Sequence, residues 1–254
     1  MSARIKAFLT HLSVSVAVAA VVALIIFEVW YPFPYSQLSA GAELFILIVS
    51  VDVICGPLIT LTIFNPKKSR RALVFDLTCI GLVQLAALSY GVWTMSIARP
   101  VHMVFEQGIF RIVHANDLSD EYVRRTPAGI TAKPLTGPTF LAVNMPTDTK
   151  EKNAVLDAAL LGNFEAMQCH LWVPYENKQG EAIAARHPLS ALLAEATPEQ
   201  KNAIEKIVAD SGADKTKLGF LPVIGRNYLE WSVIMDDQGT IIDYVPVAGD
   251  FVLK

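Results

Sequence analysis

Three long apolar runs within the first hundred residues constrain this chain more than any other feature. They cover residues 9–30, 44–64 and 73–97. Each run reaches the ~20 residues that an α-helix needs to cross a hydrocarbon layer of ~30 Å. One such run could be a buried helix of a soluble protein. Three in succession predict a transmembrane domain over residues 1–99.

The first run also has one feature of a secretory signal peptide, because Arg4 and Lys6 precede it. It is longer than the apolar part of a signal peptide, however, and it ends in the residues EVWYP (28–32), without a small-residue cleavage site. We therefore expect it to be retained as a membrane anchor.

The charge distribution separates the apolar front from the rest of the chain. Only 18% of the 254 residues are charged, against about 25% in soluble proteins. The net charge of −3 combines +3 in residues 1–99 with −6 in residues 100–254. An acidic second part excludes a generally basic nucleic-acid binder. We expect residues 100–254 to form a soluble domain.

The loops between the runs predict the orientation of the chain. Residues 31–43 contain no Lys or Arg, whereas the loop before the third run is strongly basic. Because basic loops stay on the cytoplasmic side, we expect the N-terminus inside and the C-terminus outside. Aromatic rings are expected at the outer interface, at Trp30, Tyr31, Tyr90 and Trp93. The residues that we take as topology determinants are Lys67, Lys68, Arg70 and Arg71.

Polar side chains inside the apolar runs are costly and therefore candidates for interaction or structural roles. Asp52 is expected ~12 Å below the outer end of the second span, with Gln84 of the third span at a similar depth. We expect these two to meet across the hairpin of the second and third spans, in a contact worth ~1 kcal/mol or less. A structural role for Asp52 is favoured over transport, since ion pumps usually carry several acids in line. Asp76 should form an interfacial ion pair with Lys67 or Lys68.

Gly56 and Pro57 form a break in the middle of the second run. Pro57 removes a backbone donor, so we expect this helix to be kinked or loosened there. Neighbouring helices or Ser/Thr hydroxyl groups can satisfy the freed carbonyl in a membrane, and Thr60 and Thr62 are nearby.

Residues 100–254 have the pattern of a single α+β domain. Residues 101–105 and 109–113 predict a β-hairpin, and residues 139–143 a short strand within an irregular, proline-rich stretch. Residues 150–161 have the apolar spacing of a helix. The order of the strands does not follow from these patterns.

The end of the domain is predicted to contain a capped helix and a terminal β-hairpin. Thr197 and Gln200 form a capping box with Pro198 at the first helical position, and Gly212 lies just past the helix. The hairpin has its turn at residues 236–239 and a return strand at 241–247. In its first strand the apolar residues Leu229, Trp231, Val233 and Met235 alternate with Glu230 and Ser232.

The sequence contains no motif with the spacing of a known catalytic or metal-binding site. It lacks a GxSxG elbow, an HExxH pair, a Walker loop and paired CxxC motifs. Cys169 and His170 are adjacent, but no companion pair has metal-ligand spacing. Other scattered histidines, such as His102, are expected to be structural or solvated. We therefore predict no catalytic residues, no metal and no cofactor.

The second and third runs carry a long and specific resemblance. The segment VDVICGPLITLTIFNPKKSRR, followed by FDLTCIGLVQLAALSYGVWTMSIARPVHMVF, resembles the TfpX/TfpZ-type accessory proteins of type IV pilins in Gram-negative bacteria. The basic start and the long first span ending in VWYPFP fit the same family. The resemblance covers residues 1–115; beyond them it extends to the general layout and the closing hairpin.

This resemblance implies a multi-pass protein of the bacterial inner membrane with a periplasmic C-terminal domain. It implies an accessory factor, and not an enzyme, that assists the production, stability or assembly of a pilin. The expected partners are the membrane helix and periplasmic head of that pilin, the lipid bilayer and the pilus assembly machinery. The alternatives are a membrane-anchored periplasmic enzyme and a small sensor or transport subunit.

Overall fold

The computed structural model describes residues 2–226 and 228–248, without the side chains of residues 228–230. The chain divides into two compact units between Arg99 and Pro100. The first unit is helical, and the second combines a mixed β-sheet with short helices.

Three long helices of the first unit are apolar enough to cross a membrane, as predicted. They span Ala3–Trp30, Gly41–Ile63 and Arg70–Ala98. A one-turn helix, Tyr35–Leu38, lies between the first two. The first helix begins six residues before the predicted run, because the Ser2 hydroxyl accepts a hydrogen bond from the Ile5 amide, at 3.4 Å. Ser69 caps the third helix in the same way through the Ala72 amide.

The second long helix packs against both of the others. Two glycines allow close approach at its contact with the third helix. A Cβ atom at Gly91 would lie 2.3 Å from Ile48 Cγ2, and one at Gly56 would lie 1.9 Å from Gln84 Nε2. Small residues at such contacts let membrane helices gain packing and hydrogen bonds.

Tyr31, one of the four aromatic residues expected at the outer interface, is buried within the helical unit. This residue is 1% exposed and packs against Ile26 and Met95. Its hydroxyl donates a hydrogen bond to the Met95 carbonyl at 3.1 Å, which ties the end of the first helix to the third. Tyr90 and Trp93 are exposed and contact each other, with ring centroids 5.6 Å apart.

In the described residues, the second unit is built on one eight-stranded mixed sheet. The strands are β1 (Pro100–Glu106), β2 (Ile109–His114), β3 (Thr139–Val143), β4 (Trp172–Pro174), β5 (His187–Pro188), β6 (Gly219–Gly225), β7 (Tyr228–Met235) and β8 (Ile241–Val245). Their order in the sheet is β4-β3-β1-β2-β6-β7-β8, and β5 pairs with β6. The β1–β3 and β2–β6 pairs are parallel and the others are antiparallel.

Helices and single turns surround this sheet. The predicted capping box at Thr197 is present, and Gly212 adopts the left-handed conformation at the other end of that helix, with φ of 64°. The helices are Asp120–Arg124, Thr149–Leu160, Gln179–Ala185, Leu189–Glu195 and Pro198–Ser211, with 3₁₀ turns at Glu165–Met167, Cys169–Leu171, Tyr175–Asn177 and Lys215–Lys217.

The last two strands differ from the sequence expectation. The side chains of Leu229 and Glu230 lie outside the described residues, and from Ser232 to Met235 every residue of β7 is buried. Ser232 is inside because its hydroxyl donates to the Val247 carbonyl at 2.9 Å. β8 ends at Val245, two residues early, because Pro246 has no N–H to continue the ladder.

Among the described residues of the second unit, buried apolar side chains form two hydrophobic clusters. One surrounds Trp172 and includes Val104 and Leu141 from the sheet. The other packs Leu192 and Ile204 from two helices against Phe220 of β6.

Candidate functional site in the helical unit

Gln84 of the third helix approaches Asp52 of the second, but through the backbone. Gln84 Nε2 donates to the carbonyl oxygen of Asp52 at 3.1 Å. The two residues therefore meet, as expected, but the acceptor is the main-chain carbonyl of Asp52 and not its carboxylate. Within the part of the chain that the structure describes, no residue donates a hydrogen bond to the Asp52 carboxylate.

The reason for the backbone contact is a π-helical turn at Val51–Cys55. In such a turn a carbonyl bonds to the amide five residues later, and for Asp52 that position is Pro57, which has no N–H. Gln84 supplies the missing donor. The predicted break at Gly56 and Pro57 is therefore a widened turn just before them, and Gly56 leaves room for the amide of Gln84.

Of the two kinds of donor expected here, the neighbouring helix satisfies the Asp52 carbonyl, and the nearby threonines make other contacts. Thr62 Oγ1 donates to the Ile59 carbonyl of its own helix at 2.8 Å. Thr60 is buried and lies 2.5 Å from Nδ1 of His11 in the first helix.

His11 joins all three helices, a role that sequence reasoning missed. Its Nε2 lies 2.7 Å from Gln84 Oε1, in addition to the contact of Nδ1 with Thr60. Gln84 Oε1 is an acceptor, so Nε2 carries the proton, and in the neutral imidazole Nδ1 accepts from the Thr60 hydroxyl. The signal in the sequence is a histidine within an apolar run, which is costly without partners.

Two clefts open on either side of Asp52 and Gln84. The first, of about 250 Å³, is lined by all three helices. The second, of about 320 Å³, lies between the second and third helices and is almost entirely apolar. The first cleft is lined by His11, Val14, Ser15, Val18, Ala19, Val49, Asp52, Gly81, Gln84, Leu85 and Leu88.

A separate charged group lies at the start of the third helix. Lys68 Nζ is 2.6 Å from Asp76 Oδ2, so of the two candidate lysines Lys68 is the one that contacts this acid. The exposed Arg70 and Arg71 occupy the first turn of the helix, where cations oppose the helix dipole. Lys67 is also exposed.

Comparison with known proteins assigns this architecture to a family. Residues 1–40 match the family described as fimbrial assembly protein FimB. The serogroup I and serogroup E1 fimbrial assembly proteins of Dichelobacter nodosus are each 32% identical over 238 residues, covering 93% of this chain and 92% of their own length. The chain belongs to the fimbrial assembly protein family.

A third family member supports the assignment. The fimbrial assembly protein of Dichelobacter nodosus serogroups C1 and C2 is 43% identical over 108 residues, or 42% of this chain and 82% of that protein. The resemblance to type IV pilin accessory proteins is thereby confirmed. No solved structure matches the chain.

In the sheet domain, the buried carboxylate of Glu106 makes structural contacts. Glu106 is buried, pairs with Arg111 and accepts from the Ala166 amide at 2.7 Å. Burial raises the pKa of Glu106, while Arg111 opposes the rise. The carboxylate thus joins the first β-hairpin to the turn at Glu165–Met167.

The side chains of the adjacent Cys169 and His170 lie in different surroundings. Cys169 is buried in the cluster around Trp172, and burial raises the pKa of its thiol. The His170 ring stacks on Tyr122, with centroids 6.0 Å apart. Among the residues that the structure describes, no group of three His, Cys, Asp or Glu side chains is placed to hold a metal ion.

Proposed function

We propose that this protein is an inner-membrane factor that assists the production, stability or assembly of a type IV pilin by direct contact. One observation carries the proposal: the identity of 32% across 93% of the chain to proteins named for fimbrial assembly. The names of these relatives fit a non-catalytic role in fimbrial biogenesis.

The proposed orientation places the N-terminus in the cytoplasm and the sheet domain in the periplasm. Arg4, Lys6 and the basic loop before the third helix support it, because Lys and Arg stay on the cytoplasmic side. Arg70 and Arg71 oppose the dipole of their helix, so helix stability does not account for them. A role in keeping this loop on the cytoplasmic side accounts for the two arginines instead.

The proposed mode of contact uses both units. A type IV pilin waits in the membrane as one apolar helix with a periplasmic head. The three long helices offer packing surface and polar groups at bilayer depth, whereas residues 100–254 offer an acidic domain of net charge −6. We propose that the helices contact the pilin helix and the sheet domain its head.

Deleting the gene tests this proposal. Surface pili and total cellular pilin are measured in the deletion strain and in the same strain complemented with the full chain. We expect fewer surface pili without the protein and recovery on complementation. Loss of total pilin would indicate a stabilising role, whereas unchanged pilin would indicate an assembly role. Normal surface pili in the deletion strain would contradict the proposal.

A further inference from the structure

A small polar cavity lies in the sheet domain, beside the carboxyl ends of the parallel strands β2 and β6. It has a volume of about 150 Å³, or about five times the ~30 Å³ that one water molecule occupies in the liquid. The polar side chains in its lining are those of Arg111, His114, Asp117 and Arg226. The cavity therefore has room for a small charged group.

His114 contributes a buried ring nitrogen that has no partner among the described residues. The residue is 2% exposed, and its Nδ1 lies 3.0 Å from Asp117 Oδ2, which also accepts from the His114 backbone amide at 2.8 Å. Because a carboxylate oxygen is an acceptor, Nδ1 carries a proton. Nε2, on the other side of the ring, is buried without a hydrogen bond. Such a group is costly to bury alone, so this nitrogen indicates a ligand.

Two arginines bring guanidinium groups to the same cavity. Arg111 donates through Nε to Glu106, and its Cζ lies 4.2 Å from the centroid of the Phe164 ring. Arg226 is exposed and donates through Nη2 to Asn116 Oδ1 at 2.9 Å. A guanidinium group has five N–H donors, so each arginine keeps donors for a further acceptor.

The charges around the cavity favour an anion once His114 is protonated. Arg111 is paired with Glu106. Burial opposes ionisation of Asp117, but hydrogen bonds from His114 and the nearby charge of Arg226 lower its pKa, so Asp117 is a carboxylate that balances Arg226. A protonated His114 adds one net positive charge and has N–H groups on both ring nitrogens. One donates to Asp117, and an anionic oxygen is the acceptor that suits the other.

The position of the cavity along the chain indicates a source for this anion. The third long helix has 29 residues, or ~43 Å, which matches the hydrocarbon layer together with its headgroup regions. Pro100 follows Arg99, the cap of this helix, and pairs with His114 in the register of β1 and β2. Chain continuity therefore keeps His114 near the level of the lipid headgroups, which carry phosphate.

We propose that this cavity binds a phosphate group, for which phospholipid headgroups are the nearest source. A phosphate group presents several anionic oxygens, and guanidinium groups bind such oxygens in well-defined geometry. The exposed Arg226 gives the group access from the surface, while His114 and Arg111 hold it from inside. The inference goes beyond the role in fimbrial assembly, because it requires no pilin.

Isothermal titration calorimetry on the full chain, in an uncharged detergent without phosphate, tests the proposal. Inorganic phosphate is the probe in one arm, and short-chain phosphatidylglycerol in the other, with diacylglycerol of the same chain length as the phosphate-free control. Arg226→Gln removes the exposed cation of the cavity, whereas Arg124→Gln removes the same charge from an exposed position outside it. Both substitutions replace exposed side chains, so the fold should be retained.

We expect Arg226→Gln to weaken phosphate binding about tenfold, which corresponds to ~1.4 kcal/mol, and Arg124→Gln to leave it unchanged. Phosphatidylglycerol binding tighter than diacylglycerol, with the same loss in Arg226→Gln, identifies the headgroup as the source. Loss of inorganic phosphate binding alone in that variant supports the site and assigns it to free phosphate. No binding of either phosphate probe, or equal weakening by the two substitutions, would overturn the proposal.

Discussion

His102 shows how a single buried side chain sets the behaviour of the sheet domain. It is 1% exposed on β1, and its ring meets Trp172 edge-on at a centroid distance of 4.7 Å. Its Nε2 donates to the Ala132 carbonyl at 2.9 Å, so Nδ1 is the acceptor for the Thr139 hydroxyl at 2.8 Å. This pairing uses the neutral imidazole, and burial lowers the pKa of His102 to about 4.

The stability of the domain should therefore fall in mild acid. Between pH 6.5 and 4, His102 is protonated in the unfolded state but neutral in the folded state. The free energy of unfolding is therefore highest above pH 6.5 and decreases as the pH falls toward 4. The shift corresponds to roughly 3 kcal/mol. Denaturant unfolding of the full chain in detergent measures it. His102→Gln should flatten this part of the pH dependence, and an unchanged slope in that variant would contradict the assignment.

Residue identity alone located some members of the intramembrane site. Asp52 and Gln84 stand out because polar side chains are rare in apolar runs. That Gln84 bonds to the backbone of Asp52 depends on the π turn, which sequence periodicity does not encode. His11 meets Gln84 across 73 positions in the sequence, and only the packing of the helices brings them together.

At the scale of the elements, glycines decide how closely the membrane helices pack. Gly91 faces Ile48 of the second helix, while Gly81 of the same helix faces open space. The sequence predicted the three helices from their length and hydropathy, and the capping box from local spacing. The order of the strands could not be predicted from the sequence, because the parallel β1–β3 and β2–β6 pairs join segments that are far apart in the chain.

Gly91→Val should separate the second and third helices. The added Cβ atom would lie 2.3 Å from Ile48 Cγ2, and overpacking of this kind costs about 1–3 kcal/mol. Unfolding of the full chain in mixed micelles with rising SDS content measures the change. Gly81→Val is the matched control and should leave the midpoint nearly unchanged. Equal midpoints for the two variants would contradict the close contact at Gly91.

The whole molecule combines a mildly basic helical unit with an acidic sheet domain. The three apolar runs predicted the membrane-spanning helices from sequence alone, whereas the external position of the sheet domain, inferred from charge asymmetry and loop composition, stays a prediction. The proposed contact with a pilin requires that the sheet domain and the basic loop lie on opposite sides of the inner membrane, so this topology is the central claim.

Cysteine labelling in spheroplasts tests it most directly. In the full chain with Cys55 and Cys79 replaced by alanine, single cysteines are introduced by Pro66→Cys in the basic loop or by Leu135→Cys, whose side chain is 72% exposed in the sheet domain. Cys169 is kept because its thiol is buried. A membrane-impermeant maleimide should label position 135 in intact spheroplasts and position 66 only after permeabilisation. Labelling of position 66 in intact spheroplasts, with position 135 protected, would contradict the account.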